Sequence, residues 1–346
     1  MTWIALLLAD PSPCLRLLVL RELLGKGDDD AEVSELLALR QTDPVVAPLL
    51  ALQQADGSWP TSDLVGLAVS DAIRTTSQAL LRLGYVGLGP EHAAVQRAAA
   101  YLFAQQSDDG AWPLHWSRAE DGESEGYSIV SLQTSLPLRA LAACGYATDA
   151  RCERAYDWLL AQRLPDGAWP TGIAAGLYGG VAGYRRLAHS RWGCRSNTTG
   201  ALACLALHPV RRRSPEAQRA LDLLLGRETR EAALLGFEVA RVIGAEAARG
   251  FLTTFARFDL AQVLDLCWRV GAGMDDERVA EMVAFVRTLQ GPHGLWQYAA
   301  QAQVSRWLTF DLLRSLSRIE GNSGEEWFSF EPRTPFQTYA RQDRRY

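Results

Sequence analysis

The chain of 346 residues lacks any uncharged apolar run of membrane-spanning length. A spanning helix needs about 20 nearly uncharged residues. The apolar start WIALLLADP is broken by Asp10 and Pro11, and LRLLVLREL carries Arg16 and Arg21. A basic leader followed by a small-residue cleavage site is also missing, so no secretory signal is expected. There is no basic excess. A formal charge of -5 gives no electrostatic reason to expect nucleic acid. Cysteine is sparse: six residues, at 14, 144, 152, 194, 204 and 267, never as Cys-x-x-Cys. Most sit in apolar helical text, so the expectation is buried free thiols in a reducing cytoplasm. These absences leave a cytoplasmic protein with no integral membrane segment, for which peripheral contact with a membrane surface stays open.

What is present is repetition. The stretch ALQQADGSWP, ending at Pro60, returns as LFAQQSDDGAWP ending at Pro113 and as LLAQRLPDGAWP ending at Pro170. A worn copy, VRTLQGPHGLWQY, ends at Tyr298. Trp59, Trp112 and Trp169 recur at a period of about 55 residues, and Trp296 follows about two periods later. A degenerate copy without its tryptophan is therefore expected between 170 and 290, its outer helix at SPEAQRALDLLLGRE (214–228).

Each period reads as two helices. The first is amphipathic and capped: Pro90 and Pro215 stand where a first helical residue tolerates proline, and Ser214 precedes Pro215 as an N-cap. The second, as in TSQALLRLGY or DLAQVLDLCWRVG, is apolar on nearly every side and should be buried on every side. Between them, glutamine can bond the loose carbonyls of the helix end. Asp-Gly makes the reversal, with glycine at positive φ. The tryptophan packs back over the joint with its indole N–H seeking a partner. These tryptophans read as scaffold. Five inner helices end near Leu83, Leu141, Leu207, Val270 and Leu316, and an N-terminal pair over 1–44 can supply a sixth. Helical pairs that cannot bury their faces alone must stack, and six can close. The expected fold is all-α, a single (α/α)6 toroid over 1–320, with an irregular tail over 321–346.

The pattern Gln-x-x-Asp-Gly-x-Trp, at Gln53–Trp59 and Gln106–Trp112, resembles the QW motif of squalene and terpene cyclases and related prenyltransferase-type repeats. Gln162–Trp169 has one extra residue, and Gln290–Trp296 has His293 in place of the aspartate. The resemblance covers roughly 45–316. It implies an α/α toroid and an isoprenoid ligand. Class II terpene cyclases carry Asp-x-Asp-Asp-Thr at the start of an inner helix. The matching text here is AIRTT (72–76) or RSNTT (195–199), without the acids, and Asp71 is the nearest relic. Prenyltransferase β subunits hold zinc with Asp-x-Cys and a later histidine. Asp265 and Cys267 match the pair, but the histidine is missing and two ligands do not make a zinc site. No metal is expected. Acidic runs at 28–32 and 275–278 read as helix-opening caps.

The inner helices of a toroid run the same way, so their starts converge on one rim. Arg74, Arg195, Arg257 and Arg306 stand at or just before four of those starts, with Asp259 and Asp311 close behind two of them. Helix N-termini and guanidinium groups both favour anions. A long glycine-rich loop from Pro170 to Asn197 brings Tyr178, Tyr184, His189 and Trp192, and the stretch 114–128 brings His115 and Trp116 among acids. Loops of this length are usually functional or disordered. Arg74, Arg195, Arg257, Arg306, Tyr178, Tyr184, Trp192, Trp116 and His115 are thus the candidate binding residues, and Asp71, Asp259 and Asp311 the candidate acids. The bland alternative pairs the arginines with Asp259, Asp311 and the acidic 114–128 loop as ordinary rim ion pairs.

The leading functional expectation is a cyclase-like isoprenoid-handling enzyme with a prenyl chain in a central apolar cavity. It needs no cofactor, with magnesium entering only if the ligand is a diphosphate. A non-catalytic toroid that binds a lipid or a protein is the second reading, favoured by the missing acid motif. A carbohydrate-active α/α barrel is third, because the repeat joints take four of the eleven tryptophans and the inner-helix starts offer few paired carboxylates.

Overall fold

The computed structural model describes residues 2–60, 72–112, 131–170, 187, 189–190, 192–226, 233–246, 258–299 and 301–321. Fourteen α-helices are described: α1 Thr2–Leu8, α2 Pro13–Leu18, α3 Ala31–Leu39, α4 Ala47–Leu52, α5 Ala72–Tyr85, α6 Ala93–Ala104, α7 Ser131–Leu141, α8 Ala150–Ala161, α9 Arg195–Leu205, α10 Pro215–Leu225, α11 Phe237–Val242, α12 Leu260–Val270, α13 Glu277–Thr288 and α14 Ala302–Gly321. Helices α2 and α7 run on into π turns at Val19–Leu23 and Ala142–Tyr146. The strands described, β1 Ala233–Leu234 and β2 Phe258–Asp259, form one short parallel pair.

The fold is the expected α/α toroid. Helix α5 packs on α7 and α7 on α9; α12 packs on α14, and α14 meets the π turn after α2. The outer members α4, α6, α8, α10 and α13 alternate with these. Burial follows the binary pattern: every residue of α9 is buried, whereas α13 buries only Val279, Val283 and Val286. The six cysteines are free and buried. Among the described residues no helix is long and apolar enough to cross a membrane.

The repeated turn explains why the text recurs. In each copy the tryptophan indole Nε1–H donates to a carbonyl ten residues back, in the last turn of the outer helix. The acceptors are Leu49, Leu102, Leu159 and Val286, each at 2.7 Å. A helix end leaves such carbonyls without intrahelical partners. The tryptophan backbone N–H then donates to a threonine Oγ1 in the inner helix: Thr76, Thr134, Thr198 or Thr309, at 2.9–3.3 Å. One residue thus ties both helices of a hairpin. The aspartates fold the turn, Asp56, Asp109 and Asp166 accepting from the backbone N–H two residues on.

The glutamine does something other than the expected capping of its own helix. Gln53 Nε2 donates to the Gly57 carbonyl and to the Ala94 carbonyl of α6, and Gln106 Nε2 to Gly110 and to Arg151 of α8. These two turns are therefore stitched to the outer helix of the next repeat. The glycine makes that approach possible: Gly57 has φ of 91°, and a Cβ there would run into the Arg97 carbonyl oxygen.

Two boundaries differ from expectation. Helix α6 begins at Ala93 behind His92, whose Nδ1 accepts from the Ala94 N–H, so Pro90 lies in the preceding turn. In the degenerate repeat, α10 and its Ser214 cap stand as expected, but α10 is not followed directly by its inner partner. Helix α11 and the β1–β2 pair intervene, and α11 packs against α5, α12 and α14. It therefore fills part of the interior of the ring.

Candidate functional site

A cavity of about 230 Å³ lies where the π turn after α2 and helices α5, α7, α9, α11, α12 and α14 converge. Its apolar wall includes Leu18, Leu81, Ala203, Val239 and Leu266. The lining residues on α5, α7 and α9 fall in the C-terminal halves of those helices, away from the tryptophan turns. None of Trp59, Trp112, Trp169 and Trp296 lines it, in keeping with their scaffold role.

The cavity wall is not wholly apolar. Helix α11 supplies Glu238, buried between Arg139 of α7 and Arg241 one turn on, which donates from Nη2 at 2.7 Å. Burial acts to raise the Glu238 carboxyl, but the two guanidinium groups prevail and hold it below the usual range. Across the cavity, Asp265 of α12 accepts from Trp268 Nε1 at 3.0 Å and from Arg269 Nε at 2.8 Å. Burial is again opposed by Arg269 and Arg314, and the carboxyl is lowered. Asp311 of α14 is the exception. It is buried, pairs with Arg314 and accepts from Tyr85 Oη at 3.4 Å. Burial pushes its carboxyl up to about 6; Arg314 opposes this and the nearby Asp265 charge reinforces it.

The three candidate acids therefore part company. Asp311 faces the cavity. Asp259 does not: its carboxylate accepts from the backbone N–H groups of Gly236, Glu238 and Ala261 at 2.9, 2.6 and 3.1 Å. It caps α11 and α12 together, a structural assignment in place of the expected acid. Burial raises its carboxyl against those three donors. Asp71 lies outside the described residues.

Of the candidate arginines, Arg74, Arg195 and Arg306 do not gather round the cavity. Arg306 donates to Asp10 at 3.1 Å, closing α14 onto the segment between α1 and α2. It is an ordinary ion pair, with an acid that the bland alternative did not name. Arg306→Ala should lower stability by only about 1–2 kcal/mol in urea unfolding and leave ligand affinity unchanged, because Asp10 keeps its bond from the Ser12 N–H. Arg74 and Arg195 are buried near the starts of α5 and α9 and do not line the cavity. Arg257, Tyr178, Tyr184, His115 and Trp116 lie outside the described residues. Trp192 belongs to a segment pinned to the third turn, where Ser190 Oγ donates to Asp166 at 2.6 Å and the Cys194 N–H to the Trp169 carbonyl at 2.8 Å. It is not among the lining residues. Asp265 and Cys267 diverge: the first lines the cavity and is held by Trp268 and Arg269, while the second is a buried thiol raised by burial.

Sequence reasoning missed Glu238, Arg139, Gln262 and Arg314. For Glu238 the available signal was the pair of glycines, Gly236 and Gly244, framing FEVARVI; both adopt positive φ and bound a short helix.

Residues 31–181 match the family model described as the squalene-hopene cyclase C-terminal domain. No curated protein matches the chain. Among solved structures, a protein from Actinoplanes shares 17% identity, with 82% of this chain and 99% of that one covered and a TM-score of 0.33. The type II terpene cyclase MstE from Scytonema is similar in two ligand complexes. With geranylgeranyl dihydroxybenzoate the identity is 15%, the coverage 80% and 96%, and the TM-score 0.31. With merosterolic acid A these are 16%, 79% and 94%, and 0.29.

Proposed function

We propose that this chain, squalene-hopene cyclase-like over residues 31–181, receives an isoprenoid-type chain in its central cavity and rearranges it by proton transfer. The observation that carries the reading is Asp311: a buried carboxyl on the cavity wall, held up to about 6. A general acid works best with a pKa near the operating pH. Protonation of a carbon–carbon double bond leaves a carbocation, which closes onto a second double bond and ends by losing a proton, so the product is an isomer of the substrate. The Tyr85 ring, which also lines the cavity, can stabilise a cation through its π face. The cavity sets the scale. One of about 150 Å³ holds benzene, so 230 Å³ admits about ten non-hydrogen atoms.

The test is incubation of the full chain with acyclic isoprenoids of ten, fifteen and twenty carbons in deuterated water. A cyclic isomer carrying one solvent deuteron is the expected product. Absence of any isomer from all three rejects catalysis. One observation favours the second reading, binding without turnover: Arg314 pairs directly with Asp311 and favours its ionised form. Recovery of an unchanged isoprenoid with the purified protein would select that reading.

A further inference from the structure

We infer that the cavity recognises an uncharged oxygen at one end of its ligand, a hydroxyl or a carbonyl, and excludes a diphosphate; this rests on the isoprenoid reading for the remainder of the ligand. Two residues of the wall carry the argument. Gln262 of α12 and Arg314 of α14 both line the cavity and are more than nine-tenths buried. The Gln262 Nε2 and Arg314 Nε donors are buried and have no hydrogen-bond acceptor among the described residues. A buried donor left without a partner is costly, so native structures rarely keep one unless a ligand or water completes it. Both donors lie just beneath the wall surface, and a turn of the Gln262 amide brings its N–H to an acceptor oxygen in the cavity.

The charges decide which oxygen. The wall carries the carboxylates Glu22, Glu238, Asp265 and Asp311. Among the described residues its arginines are Arg139, Arg269 and Arg314, and each already holds a carboxylate: Glu238, Asp265 and Asp311 respectively. Glu22 is held from outside the wall by Arg318 at 2.6 Å. Diphosphate recognition calls for cationic groups free to take the added charge. Here the phosphoryl oxygens would stand beside carboxylates and would have to break existing ion pairs. A neutral hydroxyl meets no such penalty. It can accept from Gln262 or Arg314 while its own proton finds one of the carboxylates.

The experiment is competition against a fluorescent apolar probe, using four ten-carbon ligands on the full chain: geraniol, the hydrocarbon myrcene, geranyl diphosphate and n-decanol. Geraniol should bind about tenfold more tightly than myrcene, the scale of one or two net hydrogen bonds, and geranyl diphosphate should not compete at millimolar concentration. Gln262→Leu should weaken geraniol severalfold toward the myrcene level while leaving myrcene affinity unchanged, and that second value shows the variant is folded. Geranyl diphosphate binding as tightly as geraniol overturns the inference. Equal binding of geraniol and myrcene overturns it too, while leaving the isoprenoid reading intact. Equal binding of n-decanol and geraniol keeps the oxygen site and removes isoprenoid selectivity. If none of the four competes, both readings fall.

Discussion

Trp112→Ala is expected to cost about 3–5 kcal/mol of stability, the range for truncating a fully buried aromatic residue. The side chain is 1% exposed, so nearly all its contact area becomes a cavity. The loss is not only apolar. The Leu102 carbonyl, which accepts from the indole at 2.7 Å, is left without that donor at the end of α6, and the joint between α6 and α7 loses its brace. Trp112→Phe separates the two contributions. It retains most of the volume but no N–H, and should cost about 1–3 kcal/mol. Equilibrium unfolding in guanidinium measures both. Because the tryptophan turns do not line the cavity, ligand affinity of the folded fraction should stay at the wild-type value. A Trp112→Ala protein as stable as wild type would mean that the recurring motif does not hold the ring together, and its recurrence would then need a cause other than bracing the helix joints.

The scaffold was legible in the sequence and the centre was not, for a physical reason. The turn residues act locally: Asp109 bonds two residues on and Trp112 bonds ten residues back, so their spacing is written in the text. Even the worn fourth copy, with His293 for aspartate, keeps the Gln290-to-Gly294 bond and the Trp296 bond to Val286. Pairings in the cavity join residues far apart in the chain. Arg139 meets Glu238 across 99 positions and Tyr85 meets Asp311 across 226. No periodicity marks them. Arg306 shows the converse. Its place at a helix start was read correctly, but the acid that takes it, Asp10, is 296 positions away. The ion-pair alternative looked to Asp259, Asp311 and the 114–128 loop, and Asp10 was not among them. The interior helix α11 escaped notice because its six residues are too few to show a helical period.

Asp311→Asn should reduce turnover of any cyclised substrate by about 10²–10⁴-fold, the usual contribution of a positioned acid. The amide keeps the shape and cannot deliver the proton. The wild-type rate should be flat at low pH and fall tenfold per pH unit above about 6, because the protonated carboxyl is the active form and burial holds its pKa there. Stability gives an independent readout. The folded-state value, raised from 3.8 to about 6, means that the native chain binds this proton more tightly than the unfolded chain. The contribution of Asp311 is then fully present below about pH 4 and is lost as pH rises through about 6. Asparagine does not titrate, so the variant should lack this part of the slope between pH 4 and 6, whether or not a substrate is in hand. Full turnover by the asparagine variant would remove Asp311 as the acid. A wild-type rate that climbs through pH 6 would instead require its ionised form, making it a base and reversing the direction of proton transfer.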